Sequence, residues 1–201
     1  MASDVQLACR CGRVRGVALA VTPRSSGHVV CYCVDCKAYA RWLGTPGIMN
    51  DRGGTDVFQV PPARLRIDEG LDAVACVRLS PDGLHRWYAG CCRTPVGNTL
   101  GPRVPFVGIV HSFRCGDADG PAPADVLAAP VGIWGKSAPG GVPPGVHPKA
   151  PVGVLAMYAR KLSWWWITGQ ARPSPFFDPE TGQPRVKPTV LSPSERAALS
   201  A

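Results

Sequence analysis

The sequence predicts a mainly β protein. Gly (23) and Pro (22) run well above average usage in 201 residues while only 18% are charged, a balance that favours short strands and turns over long helices. Between residues 5 and 112, short segments rich in β-branched and aromatic residues recur: "VRGVALAV", "HVVCYC", "TDVFQV", "ARLRI", "AVACVRLS" and "HRWYAG". Turn signals such as "PRSSG", "DRGG" and "SPDG" separate them. A chain of this length suits one domain with an appendage and can bury a core without help from disulfides.

Taken in order, the strands carry their own register. In "VACVRLS", Val74, Cys76 and Arg78 share one face and Ala75, Val77 and Leu79 the other, so burial on both faces is expected. A helix of at most two turns is expected after Cys36, through Ala38, Tyr39, Arg41, Trp42 and Leu43, stopping at Gly44. From Gly116 to Pro151 the composition shifts to Pro, Gly and Ala, an irregular connector with one ordered piece at "VGIWGK". "VGVLAMYARKLSWWWITG" reads as a helix stopped by Gly169, with Leu155, Tyr158, Leu162 and Trp165 or Trp166 on one stripe. Arg160 and Lys161 interrupt it and it is too short to span a bilayer, so the stripe is expected to dock on the protein itself or on a sister chain. Ser192, Pro193 and Glu195 have capping-box spacing and predict a short terminal helix. The expected organisation is a β-rich unit over 1–115, a connector over 116–150 and a helical extension over 151–201.

Lys+Arg 22 against Asp+Glu 14 gives a net charge of +8. The arginines are scattered, and neither a DNA- nor an RNA-binding pattern appears, so a solvated basic surface is expected and no nucleic-acid partner. The start "MASDVQLACRCG" lacks a basic region followed by an apolar run and a cleavage site, which predicts a cytoplasmic protein. In a reducing compartment nine clustered cysteines point to metal rather than to structural disulfides.

Alternate residues on an extended strand face one way, so Cys9 and Cys11 converge, as do Cys31 and Cys33. Cys33 and Cys36 have the C-x-x-C spacing of a zinc knuckle, so one segment offers three ligands. Three protein ligands leave a position for water or substrate, the mark of catalytic rather than structural zinc. His28, three residues before Cys31, is expected to be a hydrogen-bonded strand residue and not a fourth ligand. Cys91 and Cys92 are adjacent and would face opposite ways on a strand. Both reach one ion only where the chain turns, which Gly90 and Thr94-Pro95 make credible. Cys76 and Cys115 are read as buried small hydrophobes.

The motifs "CRCGRVRG", "CYCVDCK", "PPARLRIDEG" and "VRLSPDGLHRWYAGCCRTP" resemble, in order and spacing, the glutathione-dependent formaldehyde-activating enzyme (GFA) family, which includes centromere protein V. The resemblance runs from about Leu7 to Val96. It implies a zinc-binding β fold of several short twisted sheets, with a closed four-cysteine site and a nearby three-cysteine site facing substrate. Carried over, Cys9 and Cys11 match the first motif, Cys31, Cys33 and Cys36 the second, and Cys92 the last cysteine of the third. Ala89 stands where the family has another cysteine and Arg93 where it has glycine. Either Cys91 replaces the missing ligand or the first site is three-coordinate. The chain thus looks like a divergent branch with a "CCxTP" third motif and a C-terminal extension.

Two functions follow. One is a zinc-dependent carbon-sulfur lyase-like enzyme acting on the adduct of an aldehyde with a glutathione-like thiol, with two zinc ions and Cys31, Cys33 and Cys36 facing substrate. Lys37, Arg41 and Arg86 lie near the motifs as candidate partners for substrate carboxylates, though solvated surface is the commoner role for each. The other is a non-catalytic zinc module whose basic surface or Trp-rich helix binds a partner, a sister chain included.

Overall fold

In a computed structural model the described residues are 2–114 and 126–199, so Cys115 lies outside them. Eleven strands and three α-helices are defined there. The strands are β1 (Ser3–Ala8), β2 (Arg15–Val21), β3 (Gly27–Cys31), β4 (Thr55–Val60), β5 (Leu65–Glu69), β6 (Val74–Arg78), β7 (His85–Ala89), β8 (Thr94–Thr99), β9 (Val107–Val110), β10 (Val131–Ile133) and β11 (Thr189–Val190). The helices are α1 (Val34–Leu43), α2 (Val152–Ile167) and α3 (Pro193–Ala198). The fold is mainly β, with a C-terminal part that is helical and irregular.

Two sheets form. A three-stranded antiparallel sheet runs β1-β2-β5, and an eight-stranded sheet runs β10-β3-β4-β9-β8-β7-β6-β11. Only the two edge strands of the large sheet pair in parallel, β10 with β3 and β11 with β6. Both come from the chain beyond residue 126, which thereby covers edges that would otherwise present unpaired backbone.

The large sheet is buried on both faces, as the alternation in β6 requires. Val74 and Cys76 join Leu7, Phe58, Trp87, Ile109 and Phe113 in the core between the sheets, whereas Val77 and Leu79 join Ala38, Tyr39 and Leu43 of α1 on the other side. Cys76 is a buried apolar residue there.

Three elements differ from the sequence expectation. Helix α1 starts at Val34, ahead of Cys36, and has 10 residues, because the Cys33 sulfur accepts the Cys36 N–H and caps it. Gly44, left-handed at φ 64, closes it. Strand β8 is fully buried although Pro95, Gly97 and Asn98 are poor strand formers. Pro95 is accommodated where the register with β7 shifts between Trp87 and Tyr88. On α2, the face turned to the protein carries Tyr158, Lys161, Leu162 and Trp165, while Leu155 and Trp166 are exposed. Tyr158 fills the space a Cβ on Gly27 would need, and Lys161 Nζ donates to Ser26 O at 2.8 Å. The terminal capping box forms as expected, Ser192 with Glu195 at the start of α3.

Candidate metal centres

Two loops build the first cluster. Between β1 and β2 the chain reverses at Gly12, which has φ 77 and donates to Cys9 O at 2.8 Å, and the Val14 N–H donates to the Cys9 sulfur at 3.2 Å. Between β7 and β8, Arg93 N donates to Ala89 O at 2.8 Å, closing one helix-like turn over residues 90–93. On such a turn neighbouring side chains diverge by about 100° instead of the 180° of a strand, so adjacent cysteines can face one point. Cys91 Sγ lies 3.3 Å from Cys11 Sγ, 3.9 Å from Cys9 Sγ and 3.9 Å from Cys92 Sγ, with Cys9 and Cys11 3.6 Å apart. All four sulfurs fall within 4.8 Å of one another.

Those separations test the donor set. A disulfide requires about 2.05 Å. Four thiolates around one zinc at about 2.3 Å each stand about 3.8 Å apart, the edge of the tetrahedron. The cluster therefore has the spacing of a shared ion, and Cys91 stands in it with Cys92.

The second cluster, Cys31, Cys33 and Cys36, also has its sulfurs within 4.8 Å of one another. Cys31 ends β3, Cys33 caps α1 and Cys36 sits in its first turn. Hydrogen bonds from Cys31 and Cys36 pull the Cys33 thiol down to about 2, aided by the Cys36 N–H and by Arg86. Its hydrogen bonds to Cys33 and Cys36, reinforced by burial, push Cys31 far up. Cys36 is lowered by its contact with Cys31, but donating to Cys33 and burial lift it to about 11. In the four-cysteine cluster burial pushes Cys92 up, but the Thr94 hydroxyl and the Cys11 backbone outweigh it and bring it to about 6. Burial, then hydrogen bonding to Cys11 and Cys9, lifts Cys91 to about 12. Either thiol group can hold a metal ion once deprotonated.

Of the three charged residues near the motifs, Arg41 is exposed as expected and Lys37 is half-buried, whereas Arg86 departs from the solvated surface expected. Arg86 is only 2% exposed. It alternates with Trp87 on β7 and so faces α1, its guanidinium 5.1 Å from the Tyr39 ring centre and 3.5 Å from Asn98 Oδ1. It makes no ion pair with a carboxylate among the described residues, and Cys33 and Cys36 feel its charge. Lys37 donates to Ser137 O, and Arg41 Nη1 to Leu199 O at 2.7 Å, so both hold down C-terminal residues. His28 is a hydrogen-bonded strand residue, with Nε2 2.8 Å from Asp56 Oδ1 and Nδ1 2.6 Å from Ala128 O.

Arg93, which the motifs mark only as a departure from the resembled family, joins the two cysteine regions. Its Nε donates to Leu43 O at 2.8 Å and its Nη2 to Trp42 O, with the guanidinium 4.6 Å from the Trp42 ring centre. It ties the four-cysteine turn to the C-terminal end of α1, whose other end carries the three-cysteine cluster. A cavity of about 490 Å³ opens beside the four-cysteine cluster, lined in part by Arg10, Arg15 and Arg114. It borders the set of four sulfurs, not the set of three.

The family model for a family of unknown function, DUF6151, matches residues 1–187, and the chain belongs to that family. The match runs through both cysteine clusters, the Pro/Gly-rich stretch and α2. None of the curated proteins matches the sequence.

Proposed function

We propose that this member of the DUF6151 family is a two-zinc, carbon-sulfur lyase-like enzyme that acts on the adduct of an aldehyde with a glutathione-like thiol. The observation that carries this reading is the incomplete second cluster. Three sulfurs from one segment converge, Cys33 and Cys36 are partly exposed, and no fourth Cys, His, Asp or Glu joins them among the described residues. The resemblance of the cysteine motifs to the GFA family supports the same substrate class.

Cys9, Cys11, Cys91 and Cys92 would hold a structural zinc that locks the β1–β2 loop to the β7–β8 turn, and Cys31, Cys33 and Cys36 would hold the other. Zinc at the second site would supply a charge that stabilises the substrate sulfur as its thiolate. Cleavage of the hemithioacetal would break the C–S bond, leave the electron pair on sulfur, make the carbonyl from the hydroxyl carbon and free the hydroxyl proton. Arg86 offsets the excess negative charge that three protein thiolates and a substrate thiolate bring. Cys33 fixes the geometry by capping α1.

A second reading, the non-catalytic zinc module, draws on the protein packed nearby. Tyr32 N donates to Ile133 O at 3.0 Å and Lys37 binds Ser137 O, so residues of the Pro/Gly-rich stretch lie close to the three-cysteine segment. The substitution Cys33→Ser separates the two. A serine hydroxyl is a preferred N-cap, so α1 keeps its cap while the ion loses a ligand. The enzyme reading expects Cys33→Ser to abolish turnover of the glutathione–formaldehyde adduct, followed by proton NMR, with the melting temperature nearly kept. Cys11→Ser should lower the melting temperature by far more. Wild-type protein loaded with zinc and inert toward the adduct would leave the module.

A further inference from the structure

Three consecutive tryptophans on a helix point about 100° apart, so they cannot share one destination. Trp165 faces the protein and is 4% exposed, whereas its neighbours Trp164 and Trp166 splay to either side at 62% and 67%. Ile167, turned almost opposite to Trp165, is 71% exposed, and at the other end of the helix Val152 is 82% exposed. The outer surface of α2 therefore carries large apolar side chains at both ends, Val152 and Leu155 at one and Trp164, Trp166 and Ile167 at the other, with Ala156, Ala159, Arg160 and Ser163 exposed between them. Single exposed apolar residues are ordinary, but five large ones on one short helix, three of them clustered at Trp164, Trp166 and Ile167, mark an interaction surface.

Charge decides what covers it. α2 carries Arg160 and Lys161 and no Asp or Glu. Beside Trp164 a hollow of about 430 Å³ is lined by Arg24, Arg64 and Arg160. Beside Trp166 a second, of about 290 Å³, is lined by Arg103 and Arg172. No carboxylate lines either hollow. A second copy of the chain would bring this array against itself. Arg160 sits at the middle of α2, so in an antiparallel helix pair the two Arg160 side chains would meet. A nucleic acid satisfies the cations but has no use for exposed Val152 and Ile167. An anionic bilayer satisfies both, taking Val152, Leu155 and Ile167 among its acyl chains, the indoles at headgroup depth and the arginines on its phosphates.

We infer that the outer face of α2 is a membrane-surface anchor that lays the helix flat on anionic lipid. It requires no span, and no helix among the described residues is long and apolar enough to cross a membrane. The anchor uses none of the cysteine clusters and is independent of the reaction proposed above.

The test uses the full, metal-loaded chain with vesicles of phosphatidylcholine, alone or with about one third phosphatidylglycerol. The protein should sediment with the anionic vesicles at least about tenfold better than with the neutral ones, with a blue shift of tryptophan emission, and salt should weaken the binding. W164S/W166S and R160E/R172E each change exposed side chains, so each should lower binding about tenfold or more while the melting temperature holds. Failure to bind anionic vesicles overturns the inference. So does a dimer in sedimentation velocity that W164S/W166S dissociates, or retention of an oligonucleotide without retention of vesicles.

Discussion

Arg93 occupies a backbone position most side chains avoid, φ 57, at the end of the turn that presents Cys91 and Cys92. A left-handed residue other than glycine costs about 1 kcal/mol. The bonds to Leu43 O and Trp42 O and the stacking on Trp42 offset that cost, which is why an arginine can stand where the resembled family has glycine. Arg93→Gly removes the bonds and the strain together, whereas Arg93→Ala removes the bonds and keeps the strain. Chemical denaturation of the metal-loaded protein should therefore rank wild type above Arg93→Gly, and Arg93→Gly above Arg93→Ala by about 1 kcal/mol. Equal stability of Arg93→Ala and wild type would remove Arg93 from the account.

His28 carries a second prediction at this scale. Burial pushes its imidazole down, but the Asp56 carboxylate and the Ala128 carbonyl outweigh that and hold it above its ordinary value. A group whose folded pKa is raised contributes stability that is complete below its unfolded pKa, about 6.5, and lost as pH rises through the folded value. His28→Gln should cost more stability at about pH 5.5 than at about pH 8.5. A cost that does not change with pH would mean the contact with Asp56 is not an ion pair.

At the scale of elements, α1 is held at both ends by groups that belong to the sites. Its first turn hangs on the Cys33 sulfur through the Cys36 N–H, and its last carbonyls on Arg93. Asp35 pairs with Arg196 of α3 at 2.7 Å. Removing metal with a chelator should raise amide hydrogen exchange at Cys36 and Lys37 about tenfold or more while β4 and β9 in the sheet centre stay protected. Uniform protection with and without chelator would show that the first turn does not depend on the ion. The strands were legible wherever β-branched residues alternate, as in "TDVFQV", which is β4 residue for residue. β8 was not, because its pairing comes from the strands on either side and not from Pro95, Gly97 or Asn98. The start of α1 was hidden because cysteine is an unusual cap, made suitable here by its place in the cluster. The Cys31, Cys33 and Cys36 set could be read from spacing, whereas the meeting of Cys9 and Cys11 with the 91–92 pair was implied only by the family resemblance, and the place of Cys91 stayed open because it depends on the turn after β7. Arg86 could not be weighed correctly until β7 was seen to turn it toward α1, although its alternation with Trp87 was the available signal.

For the whole molecule, the C-terminal chain is built into the sheet. β10 and β11 close its two edges, Leu191 is buried, and α3 packs on α1. The three-cysteine cluster sits at the N-terminal end of α1 and Arg93, next to Cys92, holds the other end, so the two clusters are separate and each can hold its own ion. In the function proposed above, the four-sulfur set closes around its ion and the three-sulfur set leaves a position for substrate, and that asymmetry is the central claim. Zinc content with zinc-edge X-ray absorption, on protein purified without chelator, tests it most directly. The account predicts about two zinc ions per chain with an average of about 3.5 sulfur neighbours, rising to about 4 when glutathione is added. An absence of zinc with every thiol titrating free would contradict the metal sites. A sulfur count that glutathione leaves unchanged would contradict the open position.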